Sequence, residues 1–225
     1  MRNLPIVAID GPAGSGKSTV AKALAKRLQF VHVDTGALYR GVAWLAIRKG
    51  VELGVEQDVV ATSSGVKFEF RYIGDGNHLF LDGEDVANFI RTEEVSAAAS
   101  KVSAFPGVRS LLLDLQRSFG KTGGVVLEGR DIGTVVFPNA ELKFFLFASP
   151  QERALRRHQE LKAKGIESDL DSVAQDLAKR DHQDSTRAIA PLKQAADAIP
   201  VDTSGKTIEA VLDQLEALVR QRMVY

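Results

Sequence analysis

Gly11-Pro12-Ala13-Gly14-Ser15-Gly16-Lys17-Ser18 matches the pattern G-x-x-x-x-G-K-[ST] at every fixed position. The residues before it, Ile6-Val7-Ala8-Ile9-Asp10, form the short continuous apolar run of a strand buried on both faces. The residues after it, Ser18 to Leu28, place Val20, Leu24 and Leu28 on one helical face and lysines on the other. Strand, glycine loop and helix together are the context in which this pattern cradles phosphates. The glycines let successive N–H groups turn inward, and the helix adds its positive dipole end. Lys17 is placed to reach β- and γ-phosphates, and the Ser18 hydroxyl is a ligand for Mg²⁺. Gly11 through Ser18, with Thr19, are therefore the expected ATP-binding residues. Such a loop alone specifies only a nucleoside triphosphate, because translocating ATPases, GTPases and small kinases share it. Neither Asp34-Thr35-Gly36 nor Glu128-Gly129-Arg130-Asp131 reads as an apolar strand ending in the Asp-Glu pair of a motor ATPase, and the chain has no N-K-x-D guanine-reading sequence.

Outward from the loop, strands and helices alternate. A second strand is predicted over Phe30 to Val33 and a helix, apolar nearly all round, over Leu38 to Lys49. The texture then changes. Val66, Phe68, Phe70 and Tyr72 alternate with Lys67, Glu69 and Arg71, the period of an antiparallel strand with one wet face. Turns at Gly74-Asp75-Gly76-Asn77 and Asp82-Gly83 flank a return over His78 to Leu81. Residues 60–90 therefore read as a small antiparallel insert. Helices are expected over Glu93 to Phe105 and, past the break at Pro106, over Val108 to Phe119. Strands follow at Val125 to Leu127 and Lys143 to Ala148, then a helix capped by Ser149-Pro150 that stops near Gly165. Asp171 to Asp184 is helical, Ile199 to Asp202 is a last strand, and Thr207 to Arg222 closes the chain as an amphipathic helix. The alternation predicts an α/β fold of the P-loop type, a parallel sheet flanked by helices in a single core spanning residues 1–225.

The 225 residues carry 29 basic and 29 acidic side chains, a balance that argues against a nucleic-acid track or a membrane surface. There is no cysteine, which excludes disulfides and thiolate chemistry. His32, His78, His158 and His182 lack metal-site spacing, and none is assigned a role. No run reaches the roughly 18 apolar residues of a membrane helix, and no signal peptide is visible. A cytoplasmic location is expected.

Three later segments set Arg beside Asp or a hydroxyl: Asp34-Thr35-Gly36-Ala37-Leu38-Tyr39-Arg40, Gly129-Arg130-Asp131-Ile132-Gly133-Thr134, and Arg180-Asp181-His182-Gln183-Asp184-Ser185-Thr186-Arg187. Each segment by itself also fits a surface ion pair. A second substrate carrying a phosphate and a sugar needs this mixture, guanidinium forks for the anion and carboxylates or hydroxyls for the ribose. Asp34 has two readings of equal weight, orienting a metal-bound water or capping the helix after it.

With these segments in view, the whole length resembles the bacterial-type cytidylate kinases. The resemblance includes the P-loop, Asp34 to Arg40, the antiparallel insert, Ile90-Arg91-Thr92-Glu93-Glu94-Val95, Ala98 to Ser103 and Val108-Arg109. It is most specific in Gly129-Arg130-Asp131-Ile132-Gly133-Thr134-Val135-Val136-Phe137-Pro138, and continues through Arg180-Asp181, Asp184 and Arg187 to Leu192. It implies transfer of the γ-phosphoryl group of ATP to CMP or dCMP, with Mg²⁺, by a monomeric enzyme. By the resemblance, Arg40, Arg130 and Arg187 hold the acceptor phosphate, and Arg180 and Asp184 contact the ribose. Ser100, Arg109 and Asp131 read the cytosine, and a lid over residues 153–165 closes on ATP. Lys17, Arg130 and Arg187 are the catalytic set. Many members carry Ser where this chain has Thr35; the hydroxyl is kept and a methyl added. Carboxylate acceptance from the cytosine N4 amine, with Arg or Ser donating to N3 or O2, is also sound chemistry. The rival readings are a kinase for another small acceptor, such as adenylate or shikimate, and a slowly hydrolysing nucleotide switch.

Overall fold

The computed structural model describes residues 4–74 and 76–223. Among the described residues two compact units emerge, one formed by residues 4–32 and 122–223, the other drawn from residues 33–121.

The first unit is built on the strand predicted ahead of the glycine loop. β1 (Ile6–Asp10) is followed by α1 (Lys17–Leu28), then β2 (Val31–Asp34), the strand along which the chain leaves the unit. After the second unit come β6 (Val125–Gly129), β7 (Leu142–Phe147), α6 (Pro150–Ala163), α7 (Leu170–Thr186), β8 (Ile199–Asp202) and α8 (Ile208–Met223). The sheet has the order β2-β6-β1-β7-β8. β1 runs parallel to both neighbours, pairing Ile9 with Glu128 on one side and with Phe144 on the other. A central parallel strand has both faces covered, which is why its sequence is apolar throughout. Val7, Ile9, Val126, Phe144, Leu146 and Val201 pack under Val20, Leu24 and Leu28 of α1 and Leu212, Leu215 and Val219 of α8. On α6 and α7, Ala154, Leu161, Val173 and Leu177 close over Ala13 of the glycine loop.

The second unit holds α2 (Thr35–Arg48), α3 (Glu56–Ser63), β3 (Phe68–Ile73), β4 (Gly76–Leu81), β5 (Glu84–Asp85), a 3₁₀ turn at Phe89–Arg91, α4 (Glu93–Val102) and α5 (Pro106–Ser118). The three strands form an antiparallel sheet in sequence order. α2 buries Leu38, Val42, Ala43 and Ala46 against Leu79, Leu81, Ile90 and Leu112, in keeping with its nearly continuous apolar text. Phe70 meets Phe119 edge-on at 5.5 Å, and Trp44 stacks on Phe89 at 5.9 Å.

Several boundaries differ from the sequence reading. The antiparallel sheet occupies Phe68–Asp85, and residues 56–63 are helical. Asp75 of the predicted turn lies outside the described residues. α2 begins at Thr35, three residues earlier than expected, because the Asp34 carboxylate accepts the Ala37 N–H at 3.2 Å and caps it. Pro106 opens α5 in its first turn, where a missing N–H costs nothing. Ile132–Val136 forms a π-helical turn that no sequence pattern announced.

Candidate active site

The glycine loop leaves the end of β1 and enters α1 through two left-handed residues. A Cβ on Gly11 would lie 2.0 Å from the carbonyl oxygen of Leu146 on β7, so this position admits no side chain. Gly16 (φ +84°) caps α1 without any side-chain hydrogen bond, and the first turn of α1 contains no acidic residue. The leading N–H groups and the dipole of α1 are thus left for an anion.

Lys17 is the first residue of α1 and is only 6% exposed. Its Nζ donates to the Pro12 carbonyl at 2.6 Å and approaches Ser15 Oγ at 3.4 Å. Burial, and next the Arg130 guanidinium, push its pKa down to about 7 against the opposing pull of Glu128, Asp10 and Asp184. A phosphate would add counter-charge beside this ammonium. Asp10, at the end of β1, accepts the N–H groups of Ile132 at 2.8 Å and Gly133 at 2.7 Å. It thereby clamps the π turn after Asp131 onto the base of the loop. Burial raises Asp10 to about 6 despite those two hydrogen bonds.

Ser18 Oγ donates to Glu128 Oε2 at 2.6 Å. Glu128 is 3% exposed at the end of β6, and its other oxygen meets His32 Nε2 at 3.0 Å. Sequence reasoning gave neither Glu128 nor His32 a role; the available signal was the apolar run Val125-Val126-Leu127 ending in an acid beside the phosphate-loop strand. A hydroxyl next to a carboxylate is a hard oxygen set, which fits Mg²⁺ shared with nucleotide phosphates. Among the described residues no group of three or more His, Cys, Asp or Glu side chains could hold a metal by itself.

Four of the predicted acceptor-side residues in this unit fall into two pairs. Arg130 Nε donates to Asp184 Oδ2 at 2.8 Å, and Arg187 Nη2 lies 3.4 Å from Asp131 Oδ1 with both side chains buried. Arg180 precedes Asp184 by one turn on α7. The buried Arg153 donates to the Ala13 carbonyl of the loop at 3.1 Å and pairs with Asp181 at 2.6 Å, tying α6 and α7 to the loop.

The remaining predicted residues belong to the second unit. Thr35 is buried at the start of α2. Arg40 Nη2 donates to Asp34 Oδ2 at 2.6 Å, while its Nε is buried with no hydrogen-bond partner in the protein. Asp34 is thus occupied as helix cap and arginine partner, the capping alternative of its two readings. Ser103 links the proposed base readers. Its Oγ donates to the Ser100 carbonyl at 2.8 Å, and its carbonyl accepts from Arg109 Nη1 at 3.3 Å. The Arg109 guanidinium also sits 5.6 Å from the centre of the Tyr39 ring.

The profile of the cytidylate kinases matches residues 7–221. The chain belongs to the cytidylate kinase family. A cytidylate kinase from Geobacillus sp. (strain WCH70) is 48% identical over 223 residues, covering 99% of this chain and 100% of the relative. One from Enterococcus faecalis (strain ATCC 700802 / V583) is 45% identical, covering 96% of both chains. Among solved structures, a gluconokinase from Sinorhizobium meliloti 1021 superposes with a TM-score of 0.50 at 14% identity, covering 98% of this chain and 94% of its own. That likeness shows the fold alone. The cytidylate kinase family membership runs through both units, and the P-loop and the three Arg-bearing segments all fall inside the matched span. No described helix is long and apolar enough to cross a membrane.

Proposed function

We propose that this protein transfers the γ-phosphoryl group of ATP to CMP and dCMP, giving CDP and dCDP. The observation that carries the reading is the family match over residues 7–221 with an intact P-loop inside it. ATP sits with its β- and γ-phosphates on residues 11–19. Mg²⁺ accompanies ATP and supplies further neutralisation of phosphate charge, held on the protein side by the Ser18 hydroxyl.

The acceptor phosphate is anionic at neutral pH, so its oxygen attacks the γ-phosphorus in line without a strong general base. Catalysis is then positioning and charge neutralisation. Lys17 neutralises the transferring group, and Arg40, Arg130 and Arg187 hold the acceptor phosphate. Arg180 and Asp184 hold the ribose, Thr35 lies beside the acceptor, and Ser100, Arg109 and Asp131 read cytosine. Uracil inverts two of the groups those side chains address and leaves buried partners unmatched. The lid is residues 153–165, and its closure excludes water from the reacting phosphates. The enzyme works as a single P-loop core in monomeric form in the cytoplasm, without nucleic acid or membrane partners.

The test is coupled ADP release with ATP and each common nucleoside monophosphate. Turnover is expected with CMP and dCMP and far less with AMP, GMP or UMP. ADP release of equal rate with and without CMP would identify a nucleotide switch and overturn the reading.

A further inference from the structure

His32, Glu128 and Ser18 come from β2, β6 and α1 and converge in one hydrogen-bonded chain that the roles above leave unexplained. Glu128 sits opposite Ile9 in the β1–β6 register, two residues short of the level at which the P-loop begins. Its carboxylate is buried, and each of its oxygens meets a side chain from another element. Oε2 takes the Ser18 hydroxyl at 2.6 Å and Oε1 takes His32 Nε2 at 3.0 Å. The Ser18 hydroxyl donates to Glu128, and His32 donates to it as well in its Nε2–H tautomer. That direction matters for Ser18. With its proton committed to Glu128, the Ser18 oxygen keeps its lone pairs for a cation. The His32 contact at Oε1 restrains rotation of the carboxylate and so helps fix the direction of the Ser18 hydroxyl. Changing a partner that orients a metal ligand in this way typically costs about 10- to 100-fold in metal affinity.

We propose that His32 is a positioning residue for the nucleotide-bound magnesium ion, acting by locking Glu128 so that the Ser18 oxygen faces the metal. The inference rests on the P-loop reading above and reaches beyond it, to a strand-borne histidine remote from the loop in sequence.

The experiment is calorimetric titration of ADP, with and without Mg²⁺, into the wild type and three His32 variants. In the wild type, Mg²⁺ strengthens ADP binding. His32→Leu should bind metal-free ADP within about twofold of wild type while its gain from Mg²⁺ shrinks about tenfold. His32→Asn, polar but too short to reach Glu128, should behave as His32→Leu does, which separates the effect from any damage an apolar side chain does at this edge of the sheet. His32→Gln, which can present an N–H near the Nε2 position, should retain most of the gain. Two results overturn the inference: an undiminished Mg²⁺ gain in His32→Asn, or equal weakening of metal-free and metal-loaded ADP, the mark of a purely structural tie. A wild type whose ADP affinity ignores Mg²⁺ would overturn the P-loop reading itself, and the inference with it.

Discussion

Replacing Lys17 with Met should make the nucleotide-free protein more stable while removing its activity. The ammonium is buried and its pKa falls from an ordinary 10.5 to about 7. That fall corresponds to about 5 kcal/mol held against the charged form. Met forfeits the hydrogen bonds to the Pro12 carbonyl and Ser15 Oγ, roughly 2 kcal/mol together. A net gain of about 3 kcal/mol remains at pH 7, equivalent to a rise in Tm of about 6–12 °C for a chain of this size. The sign can be tested by pH. Between pH 7 and 10.5 the unfolded chain holds the Lys17 proton and the folded protein has lost it, so wild-type stability rises across this window. The variant lacks that rise. Its net advantage should be greatest at and below pH 7, close near pH 9, where the gross term has fallen to about 2 kcal/mol and only matches the forfeited hydrogen bonds, and become a deficit of about 2 kcal/mol above pH 10.5. Urea unfolding at several pH values measures the gap, and phosphoryl transfer to CMP should fall at least a hundredfold in the same preparation. A variant that melts at or below wild type at pH 7, or a gap that ignores pH, would refute the account of Lys17 as a buried cation waiting for phosphate.

Asp184→Ala removes the carboxylate that holds Arg130 Nε at 2.8 Å, and kcat/KM for CMP should drop about 10- to 150-fold. If Asp184 also accepts from the ribose 2′-OH, the loss for CMP will exceed that for dCMP; equal losses point to the 3′-OH or to a structural role such as orienting Arg130. Asp131→Asn should lower CMP turnover by a comparable factor and UMP turnover much less, because an Asn N–H can meet the uracil O4. An unchanged CMP to UMP ratio would give Asp131 a different task, holding Arg187, 3.4 Å away. Gly11→Ala forces a Cβ to 2.0 Å from the Leu146 carbonyl oxygen on β7, and a loss of about 3 kcal/mol or more is expected in urea unfolding. A Tm within experimental error of wild type would contradict the close approach of the loop to that strand.

The sequence by itself determined what depends on near neighbours along the chain. The P-loop is eight contiguous residues between an apolar run and an amphipathic run, so its chemistry was legible at once. The alternation from Val66 to Tyr72 announced β3, and Ser149-Pro150 announced the start of α6, where Ser149 Oγ accepts the Glu152 N–H. The Arg-bearing segments were legible as candidates, and their roles are proposals that rest on the family pattern. The pairing of those residues belonged to the tertiary structure: Arg130 meets Asp184 across 54 positions, and Arg187 meets Asp131 across 56. The same holds for the support beneath the loop. Asp10 clamps Gly133 from 123 positions away, Glu128 takes the Ser18 hydroxyl across 110, and His32 reaches Glu128 across 96. Those contacts follow from the strand order β2-β6-β1, which sets His32, Glu128 and the loop side by side. Local periodicity reports which faces of a strand are buried but carries no information about which strand lies next to it. A buried acid at a strand end therefore becomes a partner of the phosphate loop only when the sheet closes around it.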